Sequence, residues 1–370
     1  MVGVGVVTDA QRGPTPAGEV DTGPVETFVP VQDAYADFAR YAAGESPCLE
    51  AWARAVAADP EIQGWIATLP LIKQQPNLVF AAARWHDVPA PGPYGALRDA
   101  LLGDDAAGGA IRATIMARST QTNEVGRLAT LAPVLGLIQQ SSGRPLALVE
   151  AGASAGLCLF PDRWRYRWHH EGGTESRPGP AGGVLDCAVT GNPPLPTSAV
   201  EVAWRAGIDL NPLDVRDPDA MAWLAGLVWP EQDGRRTRLA QAIGIARDDP
   251  PYLVRGDLLE ELPDLVHEAA GHGHPVVFHS AVAAYLEPED RGRFHALMSR
   301  LVADGACSWI SNEGPQVLPG ITATGPVLPA GSALFVLGLD GRAVAWTHGH
   351  GRSLTWLSPD LAGRVLHRQG

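Results

Sequence analysis

From residue 146 onward, short apolar runs recur with helix-like sequence filling most of the intervals. They are "LALVEA" (146–151), "VEVAWRAGIDL" (200–210), "PYLVRGDL" (251–258), "HPVVFHSAV" (274–282), "ACSWISNE" (306–313), "SALFVLGLD" (332–340) and "SLTWLSP" (353–359). Strands separated by helices need crossover connections, and crossovers build a parallel sheet with helices on its faces. The last two runs lie close together, which implies an antiparallel hairpin at the sheet edge. The expectation is an α/β fold whose seven strands are mainly parallel.

The region before these runs reads differently. "VQDAYADFARYAAG" sets Ala34, Tyr35, Phe38 and Tyr41 at helical spacing before a stopping Gly44, and "PCLEAWARAVAAD" starts on a proline. "LPLIKQQPNLVFAAARWHDV" continues in the same manner, with no alternating strand pattern. Residues 1–28, rich in Gly, Pro and Thr without periodicity, read as a flexible tail. Residues 29–118 are expected to form a helical N-terminal cap. Residues 119–370 are expected to form the α/β domain, with an inserted hairpin at about 164–199 around "GGVLDCAV".

A formal net charge of −13 disfavours nucleic acid as a partner, because phosphate binding needs clustered Lys and Arg. The clearest basic run, Arg163 to Arg167, is short and interleaved with Trp164 and Tyr166. No apolar run reaches the roughly 18 residues of a membrane helix, and the first residues lack the basic and apolar regions of a signal peptide. Cys48, Cys158, Cys187 and Cys307 lie far apart with no C-x-x-C pair, so neither a zinc knuckle nor a disulfide framework is indicated. The expectation is a cytoplasmic protein with a small-molecule substrate; oligomeric state is left open.

"ALVEAGASAGL" (147–157) carries two readings. Gly152-Ala-Ser154-Ala-Gly156 matches the G-x-S-x-G elbow of serine hydrolases, and Asp257 and His350 follow in the order of a triad. No HGGG-like oxyanion segment precedes it. Alternatively, an apolar strand runs into small residues over which a ligand can lie against the backbone. Three acids then close successive apolar runs: Glu150, Asp209 and Asp257. Their common place at strand carboxyl ends puts them on the sheet edge where such folds bind ligands.

The series from about Gln121 to Pro359 resembles class I S-adenosylmethionine-dependent methyltransferases, which implies a Rossmann-like methyltransferase fold. The resemblance implies that Glu150, Gly152, Ser154, Gly156, Asp209, Asp257, Leu258 and His279 hold S-adenosylmethionine. Asp209 would accept the ribose hydroxyls and Asp257 would approach the adenine. The chain departs from the pattern where Ser154 replaces the loop's middle glycine and where Pro161 follows closely on Gly156. A closer resemblance covers most of the chain. "RSTQTNEVGRLATLAPVL", "LVEAGASAGLCLFPDRWRY", "WRAGIDLNPLDV", "WLAGLVWPEQ" and "VFHSAVAAYLEPEDRGRF" are similar to signature blocks of a bacterial family defined only as a domain of unknown function.

Further polar groups fall near the same edge. His279 ends the fourth run and is the candidate base, or else a hydrogen-bonded strand-end histidine. Tyr285 and Glu313 join it as candidate catalytic groups, and Asn312 as a substrate-orienting one. In "QTNEVGR", Gln121, Asn123, Glu124 and Arg127 form either a polar wall over the loop or a helix start capped by Thr122 or Asn123. Tyr166 could stack on a substrate. The two HGH triplets, 272–274 and 348–350, lack the further ligands of a metal site, so no metal is expected. Methyl transfer to a small molecule is the expected activity; a Ser154 hydrolase and a non-catalytic binding protein are the alternatives.

Overall fold

The computed structural model describes residues 29–103, 106–121, 123–177, 179, 183–329 and 332–357. The expected tail at 1–28 lies outside the described residues. The chain divides into two compact units. One holds residues up to Thr120 together with Gly226–Asp233; the other holds Gln121–Ala225 and the residues from Gly234 on.

The first unit is helical: α1 (Val31–Ala42), α2 (Pro47–Ala58), α3 (Pro60–Ala67), α4 (Pro76–Trp85), α5 (Tyr94–Leu102) and α6 (Ala106–Ala117). Prolines open α2, α3 and α4, where a missing N–H costs nothing. Asp59 caps α3 by accepting from the amides of Glu61 and Ile62 at 3.1 and 3.3 Å. Tyr35, Phe38 and Trp52 pack around Phe80 with ring centroids 5.5–5.9 Å away. The returning segment is held by Trp229 against Phe38, and by Glu231, which accepts from Ser46 Oγ and from the Cys48 amide at the start of α2.

The second unit begins with α7 (Leu128–Ser142) and β1 (Leu146–Ala151), followed by β2 (Arg165–His170), β3 (Gly173–Arg177) and β4 (Val184–Thr190). Next come β5 (Val202–Asp209), α8 (Pro218–Leu227), α9 (Asp233–Asp248), β6 (Tyr252–Arg255), α10 (Leu258–Ala270) and β7 (His274–Ser280). The chain continues through α11 (Pro288–Ala303), β8 (Ser308–Glu313), α12 (Pro319–Thr322), β9 (Leu334–Leu339), β10 (Arg342–His348) and β11 (Ser353–Trp356). Among the described residues, eleven strands form one sheet, in the order β3-β2-β4-β11-β10-β9-β8-β7-β1-β5-β6. Strands β6, β5, β1, β7 and β8 are parallel; β9, β10 and β11 each run antiparallel to the strand before them.

This overturns the seven-stranded sheet and the methyltransferase fold inferred from it. The late hairpin does not end the sheet. "RAVAWTH" forms β10 between two runs that were read as neighbours, and β11 then pairs in parallel with β4. The segment expected as an inserted hairpin instead supplies three strands of the same sheet, because β2 and β4 alternate buried and exposed residues and so have one face to bury. α7 packs on that extension, where Trp168 Nε1 donates to the carbonyl of Ala129 at 2.9 Å.

The central strands β1, β7 and β8 are buried on both faces. Val149, Ala151, Val277 and Trp309 meet Leu262, Leu265, Val266 of α10 and Phe294, Met298 of α11 in one apolar cluster. Glu150, Asp209 and Ser280, at alternate positions, stand on the opposite face. Strand β1 has β5 and then β6 on one side and β7 and then β8 on the other, so the order of the parallel strands reverses at β1. In open parallel sheets ligands bind beside such a switch point, at the carboxyl ends of the strands. Among the described residues, no helix is long and apolar enough to cross a membrane.

Candidate functional site

The turn leaving β1 turns through three left-handed positions: φ is +72° at Gly152, +52° at Ser154 and +67° at Gly156. Gly152 has no room for a side chain, since a Cβ there would lie 2.3 Å from Val282 Cγ2. A left-handed serine is uncommon, and this one is pinned. Its amide donates to Asp209 Oδ2 at 2.8 Å, its hydroxyl accepts from Asn123 Nδ2 at 2.7 Å, and its carbonyl accepts from the Leu213 amide at 3.0 Å. The amides of Gly152 and Ala153 both donate to the carbonyl of Ile208. No α-helix follows; the chain makes two 3₁₀ turns, Leu157–Leu159 and Pro161–Arg163, the second opened by Pro161.

Asp209 is therefore a bracket for the turn. Its second oxygen accepts from the Asn211 amide at 2.8 Å, leaving both oxygens bonded to backbone. Glu150 is different. It lies buried below the turn with Oε2 lacking any hydrogen-bond partner. Burial, and then the charge of Asp209, push its carboxyl well above the usual carboxylate range, against the opposing pull of Arg127 and a hydrogen bond with Cys158.

Residues just before α7 bond to the turn and to its neighbours. Asn123 Oδ1 also accepts from the Leu157 amide at 3.3 Å, so one side chain clasps both ends of the turn. Glu124 accepts from the Gly126 amide and pairs with Arg235 at 2.5 Å. Arg127 is buried, donating to the carbonyls of Gly349 and Ser280 at 2.8 and 2.9 Å. Gln121 donates to the carbonyl of Asn211 at 2.8 Å. Thr122, the other cap candidate, lies outside the described residues. His350, on the turn against Gly126, is held neutral by burial and by nearby Arg235, its pKa far below the ordinary histidine value.

His279 and Glu313 share the sheet's other face, packed among Phe294 and Trp309. His279 is fully buried, with Nδ1 2.7 Å from Glu313 Oε1. The same oxygen accepts from the amides of Val282 and Ala283 at 2.9 and 3.1 Å, in the turn where Ala281 takes φ +57°. Val282 is the side chain that closes on Gly152. The pair thus fixes the segment of Val282 that packs on Gly152, and His279 does not face the turn. Asn312 donates to Ser280 Oγ and accepts from Thr347 Oγ1 at 2.7 Å, on the Glu150 face.

Four expected residues serve elsewhere. Asp257 caps α10 through the Leu259 amide at 2.7 Å, and Leu258 packs in the apolar cluster beneath it. Tyr166 is buried on β2, stacked on Trp168 and donating to the carbonyl of Pro161. Tyr285 is exposed in a 3₁₀ turn, Ala283–Tyr285.

The comparison with protein families decides what kind of chain this is. The model of a family described as an uncharacterized protein conserved in bacteria, DUF2332, matches residues 32–100 and 85–356. The chain belongs to this family. No curated protein and no solved structure matches it. In this DUF2332 chain, sequence reasoning missed Cys158, Val282, Thr347 and Arg235, each of which reaches the site only through tertiary packing. Cys158 and Val282 carry the signature of ordinary core residues and could not have been found from it. Among the described residues, no group of His, Cys, Asp and Glu could hold a metal ion.

Proposed function

We propose that the turn over β1 holds S-adenosylmethionine and that this protein transfers its methyl group to a small-molecule acceptor. One observation carries the reading: the orphaned Glu150 Oε2 beneath a turn of small residues, at the switch point of the parallel strands. A buried acceptor without a donor suits a ligand with positively charged N–H groups. Bound there, the cofactor supplies an electrophilic methyl carbon. Glu150 receives its cationic end by giving up the proton that burial holds on it, Gly152 and Gly156 let the cofactor lie close to the backbone, and Asn123 and Asp209 keep the turn in shape. Asp209 is not assigned the ribose hydroxyls, since backbone amides already take both its oxygens. His279 is not assigned the proton transfer. Alignment and exclusion of water do the catalytic work. Four buried free thiols suit the reducing cytosol in which such an enzyme acts.

A second reading, a binding protein without chemistry, is favoured by the absence of an α-helix after the turn, which removes the helix-start amides of a usual nucleotide loop. The hydrolase reading has less support: Ser154 Oγ is bonded to an asparagine, and Asp257 to the start of α10. Calorimetric titration with S-adenosylmethionine and S-adenosylhomocysteine tests the proposal. Binding that is lost in Glu150→Gln supports it. No binding by the folded protein overturns it, and binding without methyl transfer to any of a panel of amines, hydroxyls and thiols leaves the second reading.

A further inference from the structure

The 3₁₀ turn after the loop carries a second concentration of unmet chemistry, independent of the site above. Among the described residues, eleven buried side-chain atoms lack a hydrogen-bond partner, and five belong to Asp162, Trp164, Arg177 and Arg205. Arg177 is 3% exposed. Its Nη2 donates to the carbonyls of Pro161 and Trp164 at 3.2 and 3.3 Å, and its guanidinium lies 4.5 Å from the ring centre of Tyr166. Its Nε and Nη1 donate to nothing, nor do Trp164 Nε1 and Arg205 Nε.

The charges do not balance either. Asp162 is answered by Arg205 at 2.7 Å and Arg163 at 3.3 Å, and Asp249 by Arg163 at 3.5 Å. Three guanidiniums face two carboxylates, and Arg177 has no carboxylate of its own among the described residues. A guanidinium does not shed its proton to escape burial, and an unpaired buried charge is costly. Burial also pulls Arg177 below the ordinary arginine range. Native interiors satisfy such donors with protein, ordered water or an ion.

We propose that Arg177, with Arg205 and the Trp164 indole, holds a small oxyanion of the phosphate or carboxylate type behind the Phe160–Trp164 turn. Four unmet donor atoms and one unmet positive charge suit a group with several acceptor oxygens and a negative charge. The cluster reaches solvent at Arg163 and Asp249, its exposed members.

Thermal melts and calorimetry on the full chain, with sodium phosphate, sodium acetate and sodium chloride at matched ionic strength, test this. A saturable rise in Tm with phosphate or acetate, but not chloride, is expected, and the arm that saturates tells the two oxyanion types apart. Arg177→Gln should weaken binding about tenfold or more, the size expected for a lost charged hydrogen bond. Trp164→Phe keeps an aromatic ring, removes the N–H and should weaken binding several-fold, the Tm rise being read against this variant's own melt in chloride. Identical melts in all three salts mean the donors are met by water and overturn the proposal. Undiminished binding in Arg177→Gln overturns it too, and should that variant not fold, undiminished binding in Trp164→Phe does so.

Discussion

Glu150 is the residue whose surroundings differ most from what its place in the sequence suggests. Its carboxyl titrates above the ordinary 4.5, so the folded protein keeps a proton that the unfolded chain releases. The stability this gives is fully present below pH 4.5 and is lost as pH rises through the folded value. Glu150→Gln, which cannot ionise, should therefore gain on the wild type as pH rises, by about 1 kcal/mol or more at pH 8 in denaturant unfolding. An equal difference at pH 4.5 and pH 8 would show that the carboxyl is not held neutral. Gly152 gives a second test. Gly152→Ala should destabilise by about 1–3 kcal/mol through strain and overpacking. Val282→Ala should recover part of that loss, because Val282 Cγ2 is the atom an added Cβ meets.

At the scale of elements, two carboxylates that sequence reading placed in one row do unlike work. Asp257→Ala should cost about 1 kcal/mol as a lost helix cap and leave any ligand binding intact. Binding that fell with it would return Asp257 to the site. Glu313 joins β8 to the turn after β7, one oxygen accepting two backbone amides and lying 2.7 Å from His279 Nδ1. Glu313→Gln should speed amide exchange at Val282 and Ala283 well before global unfolding, measured by hydrogen–deuterium exchange. Unchanged protection there would deny the pair its positioning role.

For the whole molecule, burial sets the pH response. His350 and His274 both titrate below the ordinary 6.5, through burial first, with Arg235 beside the former and Arg144 beside the latter. The folded state then binds fewer protons than the unfolded one, so their contribution is complete above pH 6.5 and is lost as pH falls through the folded values. Melting temperature should drop between pH 7 and pH 5, and His350→Gln should flatten that drop. A profile unchanged by the substitution would mean that His350 is not the group responsible.

The alternation of apolar runs with helices was enough to forecast parallel strands, and the run "LALVEAGASAG" to place a small-residue turn at a strand end, because period and composition are local properties. The sheet's extent was not local. β11 pairs with β4 across more than a hundred and fifty residues, and a two-faced polar strand such as β2 announces neither its partner nor its sheet. The roles of the acids were likewise decided in three dimensions. Glu150, Asp209 and Asp257 each end an apolar run, yet one lies buried with an oxygen left unbonded, one braces the turn and one caps a helix. What separates them is which amides each carboxylate meets, and only the folded backbone determines that.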